Sequence, residues 1–139
     1  RRSALGLIAG AVCAPSLVRA QNFPSKAITL VVPYPAGGPT DAIARFVAQD
    51  LSASIGQSVV VDNRAGASGA VGTRAVAKAD ADGQTITFGN NQTHGNNMFL
   101  LKEPGYDAVK DFAPLCGVGA FEHAFVVRKD LPAKDIKEL

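Results

Sequence analysis

The segment "ITLVVPYPAGGPTDAIAR", residues 28 to 45, joins an apolar run to an amphipathic stretch through a turn rich in proline and glycine. The run from 27 to 32 is apolar and largely β-branched, which is typical of a strand that is covered on both faces. Apolar residues between 40 and 55 recur on one helical face, and Gly56 is suited to end that helix because glycine accepts the left-handed conformation. The segment therefore predicts a buried strand that passes directly into a helix.

The same order of strand and helix recurs along the chain. Two further runs, "SVVVD" and "QTITF", have the composition of buried strands, and "AVGTRAVAKA" has that of an alanine-rich helix. The predicted strands span 27–32, 58–62, 84–88 and 121–128, and the predicted helices span 40–55 and 70–79, with a short one from 98 and another from 131. Strands that alternate with helices through short connections predict an α/β fold with a doubly wound, mostly parallel sheet.

The charge of the chain limits the classes of partner. Its 139 residues include 14 basic and 12 acidic ones, and three of the basic residues, Arg1, Arg2 and Arg19, lie among the first twenty. Because the rest of the chain is close to neutral and has no basic cluster, the composition argues against nucleic acid as a partner. No zinc signature occurs, and Cys116 is the only cysteine after residue 20, so we expect no metal, no internal disulfide and a buried cysteine.

Residues 1–20 have the pattern of an export signal. A positive start is followed by a weakly apolar segment and by small residues before a cleavage site after Ala20. The Arg1-Arg2 pair resembles a twin-arginine signal. The alternative is a short N-terminal helix or a membrane anchor, but the apolar run is shorter than the ~20 residues that span a bilayer, and Pro15 interrupts it. We expect an exported chain that begins at Gln21 and is not stably inserted in a membrane.

Three unusual loops follow the predicted strands. We name them the first loop (33–41), the second loop (63–69) and the third loop (89–97); each is rich in glycine or small polar residues. In an open parallel sheet, ligands bind outside the carboxyl ends of the strands. The connections at the opposite edge, by contrast, are short and have ordinary turn composition. The asymmetry predicts a ligand site at the edge that carries the three loops.

The first loop has features of an anion site. Gly37 and Gly38 let main-chain amides approach a ligand, and they precede a helix start, where unpaired amides and the helix dipole favour negative charge. Pro39 suits an early helical position, and Thr40 or Asp41 is suited to cap the first turn. A turn with a helix cap and no ligand is the alternative for this loop taken by itself.

The other two loops offer mainly neutral hydrogen-bonding groups. Ser68 in the second loop is suited to cap the next helix or to donate its hydroxyl, and Arg64 either pairs with an anion or, as we favour, is solvated. The third loop contains Asn90, Asn91, Gln92, Thr93, His94, Asn96 and Asn97. Such side chains suit recognition of carboxylates and hydroxyls without chemistry. Because no nucleophile motif supports a Ser68–His94–Asp41 catalytic set, we interpret His94 as a hydrogen-bonding or packing residue.

The stretches "ITLVVPYPAGGPTDAIAR", "GQSVVVDNRAGASGAVG", "ADGQTITFG", "TH" at 93–94 and "YDAVKDFAPL" resemble, in order and spacing, the Bug family of periplasmic receptors of tripartite tricarboxylate transporters. The resemblance runs from about Phe23 to Leu139. It implies a two-lobed, hinge-closing type II periplasmic binding protein. Such a protein is a monomer without enzymatic activity or an obligatory cofactor, and it delivers a small carboxylate to a membrane permease.

The resemblance also implies the site residues. The first loop would bind a ligand carboxylate through main-chain groups and ordered water, and the third loop would add side-chain contacts, while the second loop closes the pocket. The implied residues are Tyr34, Ala36, Gly37, Gly38, Thr40, Asp41, Ser68, Gly69, Asn91, Thr93 and His94. Asp41 is then better interpreted as a helix cap that orders bridging water than as a catalytic acid.

Family chains are much longer, so we expect residues 21–139 to form only the N-terminal lobe, with the second lobe absent. The expected ligand is a dicarboxylate, a tricarboxylate or an acidic amino acid. Two alternatives stay open. One is an exported hydrolase that uses Ser68 or His94, and the other is a liganded receptor that signals through a membrane sensor.

Overall fold

The computed structural model describes residues 23–120, 126–132 and 135–138. The predicted export signal (1–20) lies outside the described residues, as do residues 121–125 of the predicted fourth strand.

Three parallel strands form the sheet. They are β1 (Ile28–Val32), β2 (Val59–Asn63) and β3 (Thr85–Thr87), in the order β2-β1-β3. All pairings are parallel, and Leu30 of β1 lies opposite Val61 of β2 and Ile86 of β3. The predicted α/β fold with a parallel sheet is confirmed.

Helices connect the strands, as the periodicity predicts. They are α1 (Pro39–Ile55), α2 (Ala70–Ala77) and α3 (Asn97–Leu100). Gly56 ends α1 in the left-handed conformation, with φ 68° and ψ 17°, and its N–H donates to the carbonyl of Ser52 at 3.1 Å. The predicted stop at Gly56 is therefore confirmed, whereas α2 ends two residues earlier than predicted.

Both faces of the sheet are covered. Leu30 and Val32 of β1 pack against Ala44 and Ala48 of α1, with partly buried contributions from Tyr34, Val59, Val61, Ile86 and Phe88. Val31 points to the opposite face, because side chains alternate along a strand, and it is only 1% exposed. On that face α2 approaches closely: a Cβ added at Gly72 would lie 2.7 Å from the carbonyl oxygen of Arg64 and 3.0 Å from Cα of Pro33.

Four predictions of local structure are wrong. The segment predicted as the third loop is partly helical, since a π-helical turn at Gln92–Asn96 leads directly into α3. Residues 126–128 form no strand, and the described part of 131–138 forms turns instead of a helix. Cys116 is exposed, because residues 113–120 run outside the sheet as an exposed segment.

Within the described ranges, the helices are too short or too polar to cross a membrane.

Candidate ligand-binding site

The three strands end level with one another. Val32, the last residue of β1, lies opposite Asn63, the last residue of β2. Val31 lies opposite Thr87, the last residue of β3. The three loops therefore leave the sheet at one edge, which is the edge where ligands bind in open parallel sheets.

Asp41 organises the first loop from the first turn of α1. It is 3% exposed. Its Oδ2 accepts hydrogen bonds from the amide of Gly37 at 2.8 Å and from Nε of Arg45 at 3.0 Å, while Oδ1 accepts from Nδ2 of Asn63 at 2.9 Å. Asn63 Nδ2 also donates to the carbonyl of Tyr34 at 3.1 Å. These hydrogen bonds lower the pKa of Asp41 to about 2, and the bond from Arg45 contributes most. The carboxylate is therefore ionised, and the guanidinium of Arg45 balances its charge.

The start of α1 differs from the prediction in one respect. Pro39 occupies the first helical position, as predicted, but the N-cap is Gly38, and no side chain caps the turn. Neither Thr40 nor Asp41 is the cap. Asp41 lies inside the first turn and reaches back to the amide of Gly37, an arrangement related to the capping box.

The free amides at the start of α1 are therefore not those of the glycines. Gly37 donates to Asp41, and the Gly38 amide approaches the carbonyl of Pro35 at 3.4 Å. The first helical bond runs from Ala42 to Gly38 at 3.0 Å. The amides of Thr40 and Asp41 precede that bond and have no acceptor within the helix.

The second loop contains a left-handed turn. Ala67 and Ser68 have φ values of 46° and 54°, and the flanking Gly66 and Gly69 also have positive φ. The amide of Gly69 closes the turn on the carbonyl of Gly66 at 2.9 Å. Gly69 is the N-cap of α2, so Ser68 does not cap that helix. The hydroxyl of Ser68 is on an exposed residue.

Arg64, also in the second loop, forms an exposed ion pair. Its Nε lies 2.7 Å from Oδ2 of Asp62, and both side chains are partly exposed. Exposed pairs of this kind contribute little to stability. Arg64 is therefore partnered within the chain and lies at the surface.

The third loop is organised around Thr93 and His94. Thr93 is fully buried, and its Oγ1 accepts from the amide of Asn90 at 3.0 Å and lies 2.9 Å from Nδ1 of His94. The His94 ring packs edge-on against Phe112, with 4.8 Å between centroids. Desolvation lowers the pKa of His94. His94 is a hydrogen-bonding and packing residue, as predicted.

Hydrogen bonds join the loops to one another, beginning with those from Asn63 of the second loop to Tyr34 and Asp41 of the first. The hydroxyl of Tyr34 in the first loop donates to Oδ1 of Asn90 in the third at 2.9 Å. The side chain of Asn97, which begins α3, donates from Nδ2 to the carbonyl of Ser68 in the second loop at 3.0 Å. The three loops thus form one hydrogen-bonded surface.

A cleft of about 590 Å³ opens between the start of α1 and the end of β3. Its lining residues are Thr40, Ile43, Thr87, Phe88, Gly89, Asn90, Asn91 and 116–120, and none of them is charged. Of the predicted site residues, the structure brings Thr40 and Asn91 together in this cleft.

The remaining predicted residues differ in accessibility. Ala36, Gly37 and Ser68 are exposed, Tyr34, Gly38 and His94 are partly buried, and Asp41, Gly69 and Thr93 are buried. The buried ones are enclosed by protein atoms in this structure, so their visible role is to shape the loops. Among the described residues, no three His, Cys, Asp or Glu side chains lie together in a way that could hold a metal ion.

Sequence analysis did not identify four residues that hold the site together. Arg45 and Asn63 bind Asp41, Asn97 joins the third loop to the second, and Tyr106 bonds both Asn97 and Thr93. The spacing of Asp41 and Arg45, four residues apart, is a recognisable helical pair. No local pattern marks Asn97 or Tyr106, because their partners are remote in sequence or lie on the main chain.

Residues 43–139 match the family TctC, described as the tripartite tricarboxylate transporter family receptor. The chain belongs to this family. The resemblance inferred from the loop motifs is thus confirmed. Because this is a family of receptors, membership also agrees with the prediction of a binding protein and not an enzyme.

Relatives and solved structures support the assignment. A protein of Pseudomonas sp. (strain P51), encoded in the tcbD-tcbE intergenic region, is 43% identical over the whole of this chain, which covers 42% of that protein. MatC from Rhodopseudomonas palustris with bound malate shares 38% identity at a TM-score of 0.64 over 66% of this chain and 31% of that one. An R. palustris protein with adipate shares 44% identity at a TM-score of 0.60 over 63% of this chain and 29% of that one.

The chain is short relative to these proteins. It spans 42% of the length of the Pseudomonas protein and 32% of that of BugT from Bordetella pertussis, to which it is 41% identical over 73% of its own length.

Proposed function

We propose that this chain forms one wall of a periplasmic receptor that binds a small carboxylate for a tripartite transporter. Family membership and the two similar structures with malate and adipate support this ligand class. The observation that carries the proposal is the first turn of α1, where Thr40 borders a cleft without charged residues.

The first turn of α1 supplies the donors for the carboxylate. The amides of Thr40 and Asp41 are free of helical acceptors, and the helix dipole favours an anion in front of them. The hydroxyl of Thr40 adds a third donor. Sequence analysis favoured the amides of Gly37 and Gly38 as ligand donors, but both are engaged inside the first loop. They therefore shape the proposed carboxylate site and do not bind the ligand.

The negative charge of Asp41 does not oppose this arrangement. Its carboxylate is 3% exposed and holds three donors, among them the guanidinium of Arg45. Repulsion of an incoming carboxylate is therefore offset by a positive group four residues along the same helix. Ordered water on Asp41, as first expected, is not required by this arrangement.

The opposite side of the cleft provides neutral and apolar contacts. Asn90 and Asn91 present amide groups there and Phe88 and Val118 contribute apolar atoms, while Ile43 of α1 adds an apolar contact on the side of Thr40. This combination suits a ligand with a carboxylate at one end and a carbon chain behind it. Recognition through neutral donors, without a salt-bridging arginine, follows from the lining residues.

The test is calorimetric titration of the protein, expressed from its complete gene, against malate, adipate, a tricarboxylate, an acidic amino acid and an aliphatic diamine. We expect at least one carboxylate to bind and the diamine not to bind. Thr40→Val should weaken the best carboxylate about tenfold by removing one hydrogen bond to a charged group. Ser54→Ala, an exposed change near the other end of α1, is the matched control and should leave the affinity unchanged.

Amide resonances test the main-chain contacts directly. Addition of the best carboxylate should move the amide signals of Thr40 and Asp41 more than that of Gly37, whose donor is already engaged. Absence of carboxylate binding would refute the proposed function. Carboxylate binding that leaves the Thr40 and Asp41 signals in place would refute only the assignment of the binding site to the first turn of α1.

The hydrolase alternative, export, delivery to a permease, the monomeric state and signalling differ in the support that they have. No observation favours a hydrolase, because His94 bonds Thr93 and packs on Phe112. Export to the periplasm and delivery to a permease belong to the proposal and are supported by membership of the family, and a monomeric state is proposed with them. Signalling through a membrane sensor stays a prediction.

A further inference from the structure

The left-handed turn of the second loop is unusual because two of its residues are not glycine. Ala67 and Ser68 have φ values of 46° and 54°. In this region the Cβ of an L-residue crowds the following carbonyl, so each such residue raises the free energy of the folded chain. Residues of this kind persist only where the surroundings hold them in place.

The surroundings of the turn contain one specific tie. Nδ2 of Asn97 donates to the carbonyl oxygen of Ser68 at 3.0 Å, across 29 positions of sequence. Asn97 is fully buried. Because a carbonyl oxygen only accepts, the nitrogen of the Asn97 amide must face Ser68.

The orientation of the Asn97 side chain is itself fixed. Its Oδ1 accepts from Nε2 of Gln92 at 2.7 Å, and its Nδ2 also donates to the hydroxyl of Tyr106 at 3.2 Å. Tyr106, 7% exposed, donates in turn to the carbonyl of Thr93 at 2.6 Å. Asn97 is thus held from both sides by groups of the third loop and the segment after it.

The turn also lies tightly against the third loop. A Cβ added at Gly69 would be 2.7 Å from Cγ2 of Thr93 and 3.4 Å from the carbonyl oxygen of Pro33. The backbone of the second loop is therefore closely packed against the third loop, with no room for a side chain at Gly69. A change in the path of residues 66–69 would displace Thr93 or Pro33.

We propose that Asn97 is a positioning residue that holds the second loop in its left-handed turn and joins it to the third loop. It touches no ligand in this arrangement. It thereby fixes the position of the second loop, which the family resemblance expects to close the ligand pocket. The inference rests on the proposed function only for its ligand readout.

A double-mutant cycle with Ala67 separates this role from simple packing. Asn97→Leu removes the donor and keeps an apolar side chain of similar length. Ala67→Gly removes the conformational strain at one residue of the turn without touching Asn97. The effect of the glycine on the unfolded chain is the same in both backgrounds, so it cancels in the cycle.

Hydrogen exchange of the Gly69 amide is the primary readout, because that amide closes the turn on Gly66. We expect Asn97→Leu to speed its exchange about tenfold, the size of one lost hydrogen bond. Ala67→Gly should restore most of the lost protection in the Asn97→Leu background, and, because the strain at Ala67 is present in both backgrounds, it should also raise the protection of the wild type. If Ala67→Gly does not restore the protection of the Gly69 amide in the Asn97→Leu background, the proposal is wrong.

Asn97→Asp gives a second test if the leucine variant does not fold. An ionised aspartate places an acceptor against the Ser68 carbonyl, whereas the protonated acid can donate to it. Protection of Gly69 in this variant should therefore rise as the pH falls. Protection that is independent of pH would overturn the proposal.

The ligand readout distinguishes this inference from the proposed function. If the wild type binds a carboxylate, Asn97→Leu should weaken it and Ala67→Gly should restore part of the affinity. If the wild type binds no carboxylate, the proposed function fails, while the exchange cycle still decides the role of Asn97.

Discussion

Nδ2 of Asn63, the last residue of β2, donates to Oδ1 of Asp41 in the first turn of α1 at 2.9 Å. This bond joins the second strand to the helix that follows the first. Asp41 also holds the amide of Gly37 and the guanidinium of Arg45. The start of α1 is thereby fixed in place at the edge of the sheet where the three loops lie.

Stability should depend on the ionisation of Asp41 at acid pH. Its pKa is about 2 in the folded chain, below the ordinary 3.8, so the folded state binds its proton less readily than the unfolded state does. The resulting stabilisation is complete above about pH 4 and is lost as the pH falls towards 2. Urea unfolding between pH 5 and pH 2 should show a smaller loss of stability in Asp41→Asn than in the wild type.

Arg45→Met tests the main cause of that shift. The hydrogen bond from Arg45 contributes most to the lowered pKa of Asp41, and methionine keeps an apolar side chain without the charge. We expect the acid transition of this variant to move to higher pH. Arg128→Met, which removes an exposed partner of Asp130, is the control, and an equal movement in both variants would contradict the assignment.

Two glycines with similar backbone conformation should differ in their tolerance of alanine. Gly69 has φ 85° and Gly56 has φ 68°, but an added Cβ would lie 2.7 Å from Thr93 at the first and would meet no atom within 4 Å at the second. Gly56→Ala should cost about 1 kcal/mol of conformational strain. Gly69→Ala should cost about 1–3 kcal/mol more, because the added methyl group would overpack the space beside Thr93. Urea unfolding measures both, and equal losses would show that the contact is relieved by a small shift.

The sequence predicted β1 and α1 because each has a continuous periodic pattern. The stop at Gly56 and the early position of Pro39 follow from backbone chemistry that is local. The edge that carries the site was predictable for the same reason, since the order of strands and helices alone places the three loops together.

The third loop was mispredicted because its helical turn has no apolar period. Oδ1 of Asn90 accepts from the amides of Gln92 and Thr93 at 3.0 and 3.2 Å, which starts the turn. The carbonyl of Thr93 then accepts from Tyr106. Side-chain bonds to the main chain thus replace hydrophobic periodicity, and such bonds depend on the folded geometry.

The engagement of the Gly37 amide was not predicted, for a related reason. Glycines before a helix suggest free amides, but Asp41 turns back and engages that of Gly37. The acid at the third helical position could have indicated this, because it is the capping-box position. No comparable local sequence pattern indicates the hydrogen bond from Asn97 to the carbonyl of Ser68.

The histidine of the third loop should titrate below its ordinary range. Burial lowers the pKa of His94, so below about pH 6.5 the unfolded chain takes up a proton that the folded chain resists. Stability should therefore fall as the pH drops from 7 to 5. His94→Gln should lack this part of the pH dependence, and since His123 is present in both proteins it cancels in the comparison. A His94 ring that titrates at or above 6.5 by NMR would contradict the prediction.

The hydrogen bond between Tyr34 and Asn90 should couple the first and third loops. The Tyr34 hydroxyl donates to Asn90 Oδ1 at 2.9 Å, and burial raises the pKa of this tyrosine, so the hydroxyl is protonated and able to donate at neutral pH. Tyr34→Phe should lower the free energy of unfolding by about 1 kcal/mol, the usual net contribution of one hydrogen bond. Combined with Asn90→Ala, which removes the acceptor, the two losses should fall short of additivity by about 1 kcal/mol. Fully additive losses in urea unfolding would show that the two loops are not coupled through this bond.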